Sequence, residues 1–182
     1  MYRAYSMEYG TAVGLGWSAL FLSYVGGVTS GNGLLILLCF LLCGVCFALP
    51  FVLALRINKK LFAIGEKLSY LQGLFFSFSM FMYGCLINGL IVFAYFKFWD
   101  DGSLYEQLNK LVTQPDMVET YQQLGMSDQY AQMLELLKQV DSLSAFDKTL
   151  AIFNNNFFWG LILSFIVAVV ASYNLKNIRK ER

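Results

Sequence analysis

Apolar residues gather into four long blocks along the chain, with short polar joints between them. The first runs from about Tyr9 to Val28, "YGTAVGLGWSALFLSYVGGV", and the second from Leu34 to Leu55, "LLILLCFLLCGVCFALPFVLAL". The third runs from Leu71 to Phe96, and the fourth has its apolar body from Phe157 to Tyr173. A helix rises about 1.5 Å per residue, so roughly twenty residues cross a hydrocarbon layer about 30 Å thick. Each block meets or nearly meets that length, and the pattern predicts four transmembrane helices. The joint "VTSGNG" is so short that the first two must form an antiparallel hairpin. Composition agrees: of 182 residues 58% are hydrophobic and 14% charged, where a soluble domain carries roughly a quarter charged. A soluble body of this size has too little interior for four such blocks. Reading the first block as a signal peptide meets a weak basic region, Arg3 beside Glu8, and no alanine-type cleavage pattern.

Between the third and fourth blocks lies the one segment large enough for a separate unit. The chain therefore divides into three crossings over 1–96, a helical insert over 97–152, and a fourth crossing with a basic tail over 153–182. Within the insert, apolar residues recur at helical spacing: Leu104, Leu108, Leu111, Val112; then Val118, Tyr121, Leu124; then Tyr130, Leu134, Leu137; then Leu143, Phe146, Leu150, Phe153. Gly102, Pro115 and Gly125 separate the groups, Ser127 or Asp128 can cap the third, and Asp141, Ser142 or Ser144 the last. No Gly or Pro interrupts the last pattern before Gly160, which predicts one long helix projecting from the bilayer, with the short helices folded on its apolar stripe. Phe96, Phe98, Trp99, Tyr105, Phe153, Phe157, Phe158 and Trp159 read as an aromatic belt.

Charge orients the bundle. The N-terminus, the joint from Arg56 to Tyr70 and the tail from Asn174 onward hold nine of the thirteen Lys and Arg against three acids, a charge of +6, while the insert side holds four lysines against nine acids, a charge of −5. The positive-inside rule then places both termini in the cytoplasm and the insert outside it. In the basic joint, Leu61, Phe62, Ile64 and Leu68 can rest on the inner membrane surface while Lys59, Lys60 and Lys67 meet anionic lipid.

Lipid gives helices little hydrophobic reason to associate, so small residues four apart mark close contacts. The first crossing offers Gly10 with Gly14, Ala12 with Gly16 and Gly14 with Ser18; the second Gly44 with Ala48; the fourth Gly160 with Ser164. Pro50 frees a carbonyl near Cys46. Asn88, in "YGCLINGLIV", is the candidate intramembrane polar contact, to be satisfied by Tyr83 or a serine of a neighbouring helix or else to meet a ligand. Asp100 and Asp101 at the exit of the third crossing, and Asn154, Asn155 and Asn156 at the entry of the fourth, are candidate contacts on the insert side.

The chemistry is otherwise sparse. The chain has no histidine, and the deep parts of the crossings hold no Asp, Glu, Lys or Arg, which weakens proton-relay, ion-coupled and hydrolase readings. Cys39, Cys43 and Cys46 share a face of the second crossing and Cys85 sits on the third; without charged neighbours or a Cys-x-x-Cys pair they read as packing residues. No catalytic residue, cofactor or metal is indicated, and the basic groups flank the membrane and do not suggest nucleic acid.

The stretches "YGTAVGLG", "LSYLQGLFFSFSMFMYG", "FAYFKFWDDG" and "NNNFFWGLILSFIVAVVASYNLKNIRK" resemble an uncharacterised family of small inner-membrane proteins of Bacteroidota, domain-of-unknown-function family 4199. The resemblance implies a four-helix bacterial inner-membrane protein with a periplasmic insert, and brings no activity or site residue. Together these observations point first to a non-enzymatic accessory or scaffold subunit of a membrane or envelope assembly, in contact with lipid and with a second copy or another membrane protein. Second comes a small carrier or lipid-handling protein acting as an oligomer, for which an open cavity reaching Asn88 is the discriminating observation. A membrane enzyme ranks third, since it needs groups converging on Asp100 and Asp101.

Overall fold

A computed structural model describes residues 2–173; the basic tail from Asn174 onward lies outside the described residues. The fold is all-α: α1 (Tyr2–Ser30), α2 (Gly33–Ala63) and α3 (Tyr70–Phe98), then a short helical insert of α4 (Ser103–Val112), α5 (Pro115–Gln123) and α6 (Ser127–Asp141), then α7 (Ala145–Ser172). Among the described residues, the four long helices are long and apolar enough to cross a membrane. Their order around the bundle is α1, α3, α7, α2, with α3 most enclosed and α2 least. We call the end bearing α4 to α6 the insert end and the opposite one the terminal end.

Local chemistry explains the helix ends. Ser69 and Gln72 form a reciprocal capping box at the start of α3, each satisfying a backbone N–H that the helix leaves unpaired. Ser144 caps α7, its Oγ accepting from the Asp147 N–H at 3.2 Å, and α7 then runs unbroken for 28 residues, as the uninterrupted pattern predicts. Ser127 is the first residue of α6, and Met126 occupies the cap position without a side-chain bond, contrary to the expected Ser127 or Asp128 cap. The reason is that Met126 also closes α5, donating to Tyr121 O while left-handed Gly125 donates to Gln122 O, so one helix passes into the next. The same arrangement about Gly65 closes α2, eight residues beyond the expected Leu55 end, because nothing earlier breaks the helix. Leu61 and Leu68 are consequently buried in the bundle and do not lie on a membrane surface.

Small residues set the contacts. A Cβ on Gly10 would stand 2.6 Å from Met80 O, and one on Gly14 2.7 Å from Gly84 O, so α1 and α3 meet backbone to backbone. On α7 a Cβ at Gly160 would press on Phe81, and at Gly73 of α3 one would press on Ala168 O. These contacts frame a core of Tyr9, Val13, Ala54, Ile57, Phe76, Met80, Phe81 and Val167 in the terminal half. The expected Gly44 and Ala48 contact does not form; both are exposed, as is Ala12. Asn58 of α2 is buried and donates to Val170 O at 3.0 Å and Tyr173 O at 2.9 Å, closing the carbonyl end of α7.

The insert departs from expectation in what it covers. Phe146 and Leu150, in the stripe of α7 assigned to the short helices, remain exposed. Instead α4 lies against α1, and its Leu104 joins Val25, Val92 and Phe96 in a second core at the insert end. Phe96 and Tyr105 therefore leave the aromatic belt and turn inward, while Phe98, Trp99, Phe158 and Trp159 stay exposed.

Candidate functional site

One stripe of α7 carries the site. Lys148, Ile152, Asn156, Gly160, Ser164 and Ala168 follow at intervals of four and so share a face. From Gly160 toward the terminal end this stripe is small and closely packed; toward the insert end it becomes Asn156, Ile152 and Lys148. Across from it, α2 buries Cys46, Pro50, Leu53, Ala54, Ile57, Asn58 and Leu61, yet buries nothing over residues 33–45. Between these stretches lies a groove of about 560 Å³. Trp17, Phe21 and Tyr24 of α1, with Cys39, Phe40 and Cys43 of α2, form one side, and Leu104, Tyr105 and Leu108 of α4 cross its insert end.

The polar floor of this groove joins three helices. Asn88 is 2% exposed; its Nδ2 donates to Ser18 Oγ at 3.3 Å, and Asn156 Nδ2 donates to its Oδ1 at 3.0 Å. Ser18 in turn donates to Gly14 O at 2.8 Å. Asn88 thus lies in a relay from α7 through α3 to α1, and both asparagines also line the groove. Among the described residues, Asn156 Oδ1 accepts no hydrogen bond. Asn154 and Asn155 face outward from the same helical turn, so the three asparagines do not act as one group.

The two acids at the end of α3 also separate. Asp100 turns inward to Lys148, with Oδ2 3.9 Å from Nζ and side chains 5% and 9% exposed, and Lys148 Nζ stands 4.3 Å over the Tyr105 ring. Of these two candidate contacts on the insert side, Asp100 is thus engaged within the chain. Asp101 stays exposed and caps the turn into α4, its Oδ1 accepting from Ser103 N at 3.1 Å; bonds from Ser103 hold its carboxyl below the usual range. Tyr105, over the groove, has its phenol pushed up to about 12, by burial first and then by Asp100 and Asp141. The cysteines divide likewise: Cys46 and Cys85 are buried packing residues, whereas Cys43 is exposed on the groove wall. Among the described residues no three Cys, Asp or Glu side chains converge as metal ligands.

Lys148, Ser18 and Asn58 were not legible as site or latch residues from composition. The signal for Lys148 was its spacing of eight from Asn156 through Ile152, which sets all three on one face. Ser18 was foreshadowed as the small residue paired with Gly14 and as one of the serines open to Asn88, whereas Asn58 carried no signal, because its partners lie on another helix. The family model described as "Protein of unknown function (DUF4199)" matches residues 8–172, and the chain belongs to that family. No curated protein and no solved structure matches it.

Proposed function

We propose that this member of the DUF4199 family is a non-enzymatic membrane protein that holds the hydrocarbon chain of a membrane amphiphile in the groove between α2 and α7. The observation that carries this reading is a mostly apolar groove within the membrane-spanning part, with the Asn88 and Asn156 pair in its floor. Its volume falls among small-molecule sites, roughly 300–1,000 Å³, which are characteristically apolar with a few placed polar groups. Asn88 is bonded on both sides and still borders the space, so the lipid-handling reading stands ahead of the scaffold reading that the sequence favours.

Charge asymmetry supports an orientation with both termini cytoplasmic and the insert outside, and the resemblance implies a bacterial inner membrane, which would make the insert periplasmic and open the groove to the outer leaflet. Gln129→Cys in α6 should then react with a membrane-impermeant thiol reagent added outside the cell; protection there, with reaction only after lysis, would reverse the leaflet.

The groove itself is tested through Trp17, with Trp99→Phe and Trp159→Phe at two exposed positions leaving it as the sole tryptophan. In phosphatidylcholine vesicles with brominated chains, Trp17 fluorescence should be quenched, and Cys43→Phe, which fills the groove from an exposed wall position, should restore it. Equal fluorescence with and without bromine would remove the proposal. The accessory-subunit reading keeps one observation of its own, an apolar furrow of about 600 Å³ between α3 and α7 lined by Leu86, Leu90, Phe93, Phe146, Leu150 and Phe153. Cross-linking in native membranes that captured a specific partner at Phe93 or Leu150 would favour it.

A further inference from the structure

Resting on the groove reading, we propose that the amphiphile is selected for a hydrogen-bond donor carried along its chain, a hydroxyl or amide N–H that meets Asn156. A groove made only for plain hydrocarbon gains nothing from an amide in its floor, since a polar group facing hydrocarbon without a partner is costly. The internal network uses part of the pair's capacity: Asn88 is engaged through both its oxygen and its nitrogen, and Asn156 through its nitrogen alone. What remains on the groove-lining Asn156 is one strong acceptor, Oδ1, together with an amide N–H not used in these bonds. A hydroxyl matches both, donating to the oxygen and accepting from an N–H.

The register of the groove sets where that donor lies. Phe96 and Leu104 mark its insert end, while Trp17, Asn88 and Asn156 lie deeper. Asn88 is eight residues from Phe96 along α3, roughly 12 Å at the helical rise. A headgroup held at the insert end, beside the Tyr24 and Tyr105 rings, therefore places the middle of the chain against Asn156. Asn88 cannot turn to the ligand without breaking its bond to Ser18, which makes Asn156 the selecting residue and Asn88 the positioning one.

The test uses the full chain in phosphatidylcholine nanodiscs and two probes that differ by one mid-chain hydroxyl, oleic acid and ricinoleic acid. Native mass spectrometry of an equimolar mixture should show ricinoleic acid retained in roughly five- to tenfold preference, the return expected from one net hydrogen bond in a site closed to water. Asn156→Leu should level the two while still holding both chains, and the outward-facing Asn155→Leu should leave the preference unchanged. Equal retention of both acids by the wild-type chain overturns the selection but leaves the groove reading intact, and this outcome needs no variant to fold. Retention of neither acid, with Trp17 insensitive to brominated chains, overturns both.

Discussion

In its terminal half α2 is pinned: Ala54 and Ile57 are wholly buried, and Asn58 closes the last turn of α7. In its insert half the same helix buries nothing over residues 33–45 and borders the groove. The open half is the more apolar in sequence, since residues 33–45 hold no charge while the terminal half carries Arg56, Lys59 and Lys60, so hydrophobicity does not explain which half is buried. Side-chain size along α7 differs between the two ends. Gly160 and Ala168 lie closely against α3 toward the terminal end, whereas Ile152 and Asn156, with Phe21 and Tyr24 of α1, border the groove at the other. Where lipid is as apolar as leucine, close packing is what helices gain by associating, and where packing is prevented a space remains for lipid.

The largest effect that bears on this comparison lies at the fixed point of the open half. Lys148→Met removes the cation beside the buried Asp100 carboxylate, leaving it the Gly102 N–H at 3.3 Å, and should cost up to about 3 kcal/mol, read as detergent-micelle unfolding; Asp100→Asn in the same chain should recover most of it. A loss under about 0.5 kcal/mol, the level of surface substitutions, would mean that the insert half is loose throughout.

Next, Gly10→Ala drives a methyl into Met80 O and should cost about 2 kcal/mol. Gly44→Ala, with open space around it, should be neutral or stabilising. Equal effects at the two glycines would dissolve the distinction between close and open faces. Smaller still, Asn58→Leu removes two bonds to the end of α7 and should cost about 1–2 kcal/mol, with faster amide exchange confined to the last turn of α7. Loss of protection along the whole helix would show that the latch holds more than that end.

The smallest effect is alkaline. Tyr105 ionises at about 12 in the fold against an ordinary 10.0, so below about pH 10 it is neutral in folded and unfolded chains and contributes no pH dependence. Above that the unfolded chain ionises first, and stability falls as pH rises toward 12. Tyr105→Phe should shrink this fall in melting temperature between about pH 10 and 12; an unchanged slope would detach the phenol from the lid of the groove.

The sequence alone determined the elements. Block length and composition require four crossing helices, "VTSGNG" requires the hairpin, and the insert's periodicity with its breakers separates α4, α5 and α6, because these features depend on local spacing and on what lipid excludes. It also singled out Asn88 and the Gly10, Gly14 and Gly160 contacts, since an amide or a missing side chain in an apolar run stands out by itself. Only the tertiary structure decided which faces meet. Nothing near Asp100 in the chain tells that it turns to Lys148 while Asp101 closes the turn into α4, that Asn156 alone of three asparagines looks inward, or that Ser18 meets an amide and Asn58 two carbonyls on other helices. Pairings of this kind depend on how helices distant in sequence rotate about their axes, and that rotation is set by the whole pattern of large and small residues along the bundle, acting together.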